Sequence, residues 1–141
     1  MATVIDPKTL PVVTGSKRYP PPYDRLVAGR HRRALGDAAG LRNFGVNLTV
    51  LEPGTQSSAR HWHSVQDELV YVLDGELVLV TGQGETVLTA GMAAGFRGGE
   101  ANGHTLINRS DLPATILEIG DRLPGDTSHY PDSAMGPFKV T

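Results

Sequence analysis

Cysteine does not occur in the 141 residues, and that absence excludes a disulfide framework, a thiolate metal site and a cysteine nucleophile. Any bound metal must therefore use nitrogen and oxygen donors. Charge of one sign is also lacking: 13 basic against 15 acidic residues leave a net charge of −2, too even a balance to draw nucleic acid as a partner. The one basic cluster, Arg30, Arg32 and Arg33 around His31, is short, has no interleaved aromatics and reads as a solvated loop. Long hydrophobic runs are missing too. No window approaches the length of a membrane span, and residues 1–13 lack a basic region followed by an apolar stretch. A soluble cytoplasmic protein is the expectation.

Glycine and proline, at 17 and 10 residues, are plentiful. They are spread along the chain as punctuation between short β-branched runs, which is the pattern of an all-β fold with many turns. The length suits a single domain with one core. Three stretches can be distinguished within it. Residues 1–42 contain Tyr19-Pro20-Pro21-Pro22-Tyr23, which must be extended because proline fixes φ and restricts its predecessor; they read as an arm with little regular structure. Residues 43–120 alternate in strand fashion, beginning with Phe44, Val46, Leu48 and Val50 on one face and Asn47 and Thr49 on the other. Further strands are expected over 68–73, 76–81, 85–88, 104–108 and 115–119. Asp74-Gly75 and Gly82-Gln83-Gly84 read as hairpin turns. Residues 121–141, rich in Pro, Asp, Ser and Gly, read as a surface tail that can cover a strand edge. With no room for crossover helices, the expected fold is a small antiparallel β-barrel or sandwich.

His61-Trp62-His63 carries the chemical signal. Residues i and i+2 of an extended chain project from one face, so both imidazoles can reach a single metal ion while Trp62 points away. The polar link Ser64-Val65-Gln66-Asp67 reads as a reversal that returns Glu68 beside them. Glu68 then heads an inward row with Val70 and Val72, a costly position for a carboxylate unless it is paired or coordinated. Asp67 faces outward by the same count. His104 follows the turn signal Asn102-Gly103 and opens the apolar run Thr105-Leu106-Ile107; taken alone it equally fits an imidazole satisfied by backbone carbonyls at a barrel rim.

Gly54, His61, His63, Glu68 and Gly75 in that order resemble the first motif of the cupin superfamily, and Gly91, His104 and Asn108 match the ends of its second. The fifteen intervening residues, 76–90, resemble the short spacing of compact bacterial single-domain cupins. Two departures stand out. Six residues, one more than the family pattern, separate Gly54 from His61, and the loop Gly95–Gly103 is longer than usual, with Arg97 where proline commonly sits. The resemblance implies a jelly-roll barrel over 43–120 that holds one divalent metal through His61, His63, Glu68 and His104.

Three imidazoles and a carboxylate suit Fe, Mn, Co, Ni, Cu or Zn rather than Ca or Mg, which prefer oxygen, and no organic cofactor is indicated. A metal so held keeps open positions for water or a small-molecule substrate. Val46, Leu48, Val70, Leu77, Leu79, Leu106 and Ile116, or their alternating neighbours, are expected to wall the site. Arg97, Gln66 and Tyr71 are the nearest candidates for orienting the substrate. The expected activity is that of a small metalloenzyme, an isomerase, dioxygenase or lyase acting on an oxygen-rich organic acid or sugar derivative. The alternatives are a non-catalytic sensor using the same metal, or a metal-free structural barrel; no helix-turn-helix pattern precedes the barrel to support a regulator. A homodimer is expected, with the Tyr19–Tyr23 arm laid across the partner.

Overall fold

The computed structural model describes residues 1–140. Among them the strands are β1 (Val13–Thr14), β2 (Arg30–Ala34), β3 (Phe44–Leu51), β4 (Trp62–His63), β5 (Glu68–Asp74) and β6 (Glu76–Thr81). There follow β7 (Gly84–Thr89), β8 (Ala93–Phe96), β9 (Thr105–Ile107), β10 (Ala114–Asp121), β11 (Thr127–His129) and β12 (Phe138–Lys139). A six-stranded sheet of order β1-β2-β3-β10-β5-β8 faces two three-stranded sheets, β7-β6-β9 and β12-β11-β4. Every strand pair is antiparallel, as the strand pattern requires for an all-β barrel of this kind.

The main core, Leu51, Val70, Val72, Leu77, Leu88, Leu106, Ala114 and Ile116, lies between the sheets. Gly82-Gln83 closes the expected hairpin between β6 and β7. Asp74-Gly75 does something else: β5 and β6 belong to different sheets, so Gly75 passes the chain from one layer to the other. Only glycine serves there, since φ is +85° and a Cβ would stand 2.9 Å from Ala114 Cα.

The arm is more ordered than its prolines suggest. It contributes β1 and β2 to the large sheet, with Arg30 opposite Leu51 and Arg32 opposite Thr49. The basic cluster is therefore no solvated loop. Arg30 is buried, and Arg32 reaches inward to grip Glu118 with Nε and Nη2, both at 3.1 Å. Tyr19 is likewise buried in its own chain, packed with Val27, Ala59, Tyr130 and Met135 in a second core built from arm and tail. The expectation that Tyr19 lies across a partner is corrected on that point.

Strand β3 presents its faces the opposite way from the simplest hydrophobic reading. Thr49 and Leu51 are fully buried and Asn47 borders the interior cavity, whereas Val46 and Leu48 stand on the outside with the half-exposed Leu69 and Tyr71. Register fixes this: Thr49 pairs with the buried Ile116, and Leu48 with Leu117 on the other face. Val46 and Leu48 thus do not wall the site. A polar interior at this end of the barrel, where Arg32, Thr49 and Glu118 bond one another, pulls the polar row inward.

Candidate metal centre

His61 and His104 are held to each other as backbone partners: each N–H donates to the other's carbonyl, at 3.1 and 2.8 Å. This bridge places His104 in a way that its own turn signal does not. The strand bearing His63 pairs with β11 rather than folding back on β5, and Glu68 meets the histidines across the barrel from the opposite sheet. Asn108, fully buried, closes the loop after β9 by donating to the carbonyls of Leu51 and Leu112 at 2.9 and 2.8 Å.

All three imidazoles direct Nε2 at Glu68 Oε1, at 3.2 Å for His61, 2.7 Å for His63 and 3.6 Å for His104. Donor atoms of His61, Glu68 and His104 lie within 4.8 Å of one another, a group that could hold a metal ion. The tautomers can be reasoned out. His61 Nδ1 lies 3.0 Å from the Ala59 carbonyl, which can only accept, and Ser58 Oγ is 3.0 Å from the same nitrogen. His63 Nδ1 lies 2.6 Å from the Asp126 carboxylate. Both rings must therefore carry hydrogen on Nδ1, and when neutral they turn a bare Nε2 lone pair toward a carboxylate oxygen.

Such an arrangement favours positive charge at its centre, a proton on one ring or a metal ion among them. Protons on all the rings would set imidazoliums 5.0 and 4.7 Å apart between centroids, a repulsion of roughly 3 kcal/mol per pair at an effective dielectric near 20. One divalent ion neutralises the same lone pairs without that crowding, so the residues fit a metal. His104 adds its own evidence: it is 4% exposed, stacked under Phe96, and its Nδ1 has no hydrogen-bond partner. A rim imidazole satisfied by carbonyls would not look like this.

Burial would raise the Glu68 carboxyl, but hydrogen bonds from His104, His61 and His63 overcome it and hold the group well below the usual carboxylate range. Burial lowers His63 in turn, yet the Glu68 and Asp126 carboxylates win and raise it to about 8. His104 moves down, chiefly through burial. The carboxylates that draw a proton onto His63 would attract a dication to the same place.

Asp126 is the functional residue that sequence reasoning missed. It is 1% exposed, accepts from the backbone N–H groups of Val65 and Gln66 at 2.9 and 3.1 Å, and orients His63. It lies some sixty residues away in an apparently featureless tail, and nothing in its neighbourhood marks it. Carboxylates in this position typically tune metal affinity by 10- to 100-fold. Asp126→Asn keeps an acceptor for the two N–H groups but loses the charge on His63; we expect it to weaken metal binding at least tenfold in a competition titration with a chromophoric chelator. Unchanged affinity would assign Asp126 to loop structure alone.

The candidate orienting residues separate. Gln66 is buried, donates Nε2 to the Leu123 carbonyl at 3.0 Å and borders the main cavity. Arg97 edges a second, smaller recess, but its side chain is 85% exposed and only loosely paired with Glu100 at 3.8 Å. Tyr71 is not brought to the site: it stands on the outer face of β5, in register with Leu117 and Ala93. The cavity onto which the cluster opens has a volume of about 590 Å³ and a wall rich in hydroxyl and amide groups, among them Asn47, Ser58, Gln66, Ser128 and Tyr130.

The family model described as the cupin domain matches residues 47–120, more than half of the chain. The chain belongs to the cupin superfamily. A cupin-superfamily sugar phosphate isomerase of Silicibacter pomeroyi DSS-3 is 46% identical, with 94% of this chain and 84% of that one aligned at a TM-score of 0.90. A protein of Acidithiobacillus ferrooxidans ATCC 23270, provisionally named a sugar phosphate isomerase, is 36% identical over 73% of this chain and 65% of that one, at a TM-score of 0.70. A polyketide cyclase of Streptomyces resistomycificus shares the cupin fold at 19% identity, covering 86% of this chain and 80% of that one with a TM-score of 0.65. No curated protein matches the chain. Among the described residues, no helix is long and apolar enough to cross a membrane.

Proposed function

We propose that this cupin is a metal-dependent isomerase of a small phosphorylated sugar. The observation that carries the reading is the position of the His61, His63, Glu68 and His104 cluster on a hydroxyl- and amide-lined cavity of about 590 Å³, the size and chemistry of a site for one polyol. The 46% identity to a sugar phosphate isomerase supports it. When bound, a divalent transition metal supplies Lewis acidity toward a carbonyl and its neighbouring hydroxyl. The chain's own contribution is positional: Asp126, Ala59 and Ser58 hold the imidazoles, Phe96 shields His104 from water, and Asn47, Gln66 and Ser128 offer hydrogen bonds to hydroxyls. The test is ¹H NMR of aldose and ketose phosphates incubated with protein loaded separately with manganese, iron, cobalt, nickel, copper or zinc. Interconversion that is lost on chelation is the expected result; no turnover of any sugar phosphate with any metal would remove the reading.

The apolar outer face of the large sheet, centred on Leu117 and including Val46, Leu48, Leu69, Tyr71 and Ile119, is the surface we assign to self-association. These residues lie on three neighbouring strands, β3, β10 and β5, each about 4.8 Å from the next, and make a continuous apolar patch of the kind that marks an interaction surface. Light scattering should give twice the 15.0 kDa chain mass, and Leu117→Glu should shift the protein toward monomer. A wild-type mass of one chain would remove the assignment.

A further inference from the structure

The cavity next to the metal cluster contains more positive charge than its acids neutralise. Four arginines border it, Arg18, Arg30, Arg32 and Arg122. Arg32 is taken up by Glu118, and Arg122 by Asp37 at 2.5 Å. That leaves two. Arg30 is 7% exposed and has no carboxylate within bonding distance; it donates Nη1 to the Ser57 carbonyl at 2.7 Å and Nη2 to the Gly15 carbonyl at 3.0 Å. Its Nε, shielded from solvent, has no partner. A guanidinium offers five N–H donors, so most of this buried fork is unused. Burying such a cation without an acid is costly unless an anion arrives to meet it. Burial and the neighbouring Arg32 push Arg30 down to about 10, which leaves it charged at neutral pH but marks the uncompensated charge.

Arg18 stands at the mouth, its guanidinium 5.4 Å from the centroid of the Phe138 ring, with no acidic partner among the described residues. Two residues before Arg18, Ser16 Oγ accepts from the N–H groups of Arg18 and Tyr19 at 3.1 and 3.3 Å. With its oxygen so used, the Ser16 hydroxyl hydrogen is left to donate outward. Ser16, like the arginines, borders the cavity. The link to the metal cluster is short. The Ser57 carbonyl that Arg30 grips belongs to the residue before Ser58, whose hydroxyl props His61, and the Tyr130 ring lies 5.8 Å from that of His61.

We propose that Ser16, Arg18 and Arg30 form an anion seat that takes the phosphoryl group of the substrate while the reacting end of the sugar faces the metal cluster. This extends the isomerase reading and rests on it for the substrate, but the seat itself is a property of the arm. It gives the arm a role: β2 carries a buried arginine to the interior wall, and Arg18 flanks the entrance. The fork of Arg30 matches a phosphate in a way a lysine cannot.

The test uses inorganic phosphate, titrated by calorimetry into zinc-loaded wild type, Arg18→Ala, Arg30→Lys and His61→Ala, with circular dichroism as the check on folding. Arg18 is exposed, so its variant folds even if the Arg30 variant does not. Wild type should bind phosphate, and Arg18→Ala and any folded Arg30→Lys should weaken it about tenfold with zinc content unchanged. Equal affinity in wild type and Arg18→Ala would overturn the seat. So would phosphate binding that disappears in His61→Ala and survives in Arg18→Ala, since phosphate would then sit on the metal. No binding by wild type at millimolar phosphate overturns it as well. Sugar phosphate assays separate the two claims: phosphate binding weakened by Arg18→Ala without isomerisation removes the isomerase and keeps the seat. Isomerisation with KM unmoved by Arg18→Ala removes the seat and keeps the isomerase.

Discussion

His104→Ala should lower the affinity for zinc or manganese by at least 100-fold, read by chelator competition and by metal content after dialysis. A tightly held divalent ion in a four-donor protein site is worth on the order of 12 kcal/mol, so each donor accounts for roughly 3 kcal/mol, or about two orders of magnitude. His104 is the discriminating choice because its other interactions are few. Its Nδ1 bonds nothing, its backbone bridge to His61 survives truncation, and its ring touches Phe96 and the cluster. A purely structural imidazole would show up in the variant as a packing loss with metal uptake unchanged. That outcome would leave the cluster with His61, His63 and Glu68 alone and would remove His104 from it. Neutrality favours the metal further: burial depresses the His104 pKa, so little proton competition opposes binding at this ring.

How much of this was legible in the chain can be judged residue by residue. The strand period showed that His61 and His63 share a face and that Glu68 heads an inward row, because side-chain alternation is a local property of extended chain. The same period could not say which face of β3 is inside. Val46 and Leu48 look like core, yet they lie outside, because the polar interior formed by Arg32, Thr49 and Glu118 reverses the usual choice. Asp74-Gly75 announces a turn in either sheet, so it could not reveal that the chain changes layers there. The prolines of the arm do not hold extended chain as expected: Tyr23 N–H closes a turn onto the Pro20 carbonyl and a 3-10 helix follows over Tyr23–Val27, because proline's fixed φ suits a turn as well as a strand. β2 sits just beyond, and a strand reading Arg-His-Arg-Arg-Ala carries no hydrophobic alternation at all. Asp126 was invisible for a different reason. A carboxylate bonded across the fold leaves no trace in its neighbours, and only the closed structure brings it to His63.

The long loop before His104 yields the second large effect. Gly98→Ala should destabilise the protein by about 3 kcal/mol, near the upper end for overpacking, and lower Tm by roughly 10 °C for a chain of this size. Conformation is not the reason, since Gly98 lacks the positive φ of its neighbour Gly99. Space is. A Cβ there would lie 1.8 Å from the Val65 carbonyl oxygen and 2.3 Å from its carbon, and backbone cannot swing aside as a side chain can. The contact is close because loop and link are sewn together: Gly98 N–H donates to Asp67 Oδ1 and Gly99 N–H to the His63 carbonyl, both at 2.8 Å. Val65 lies between His63 and Glu68, so relief of the clash displaces the segment that sets their separation, and metal affinity should fall along with stability. Gly95→Ala, three residues earlier in β8, meets nothing nearer than Leu69 Cδ1 at 3.9 Å and should be neutral or gain a few tenths of a kcal/mol from the stiffer unfolded chain. Thermal denaturation of the two variants side by side tests the contrast, and a Gly98→Ala protein melting within a degree or two of Gly95→Ala would show that the loop does not press on the link between the ligands.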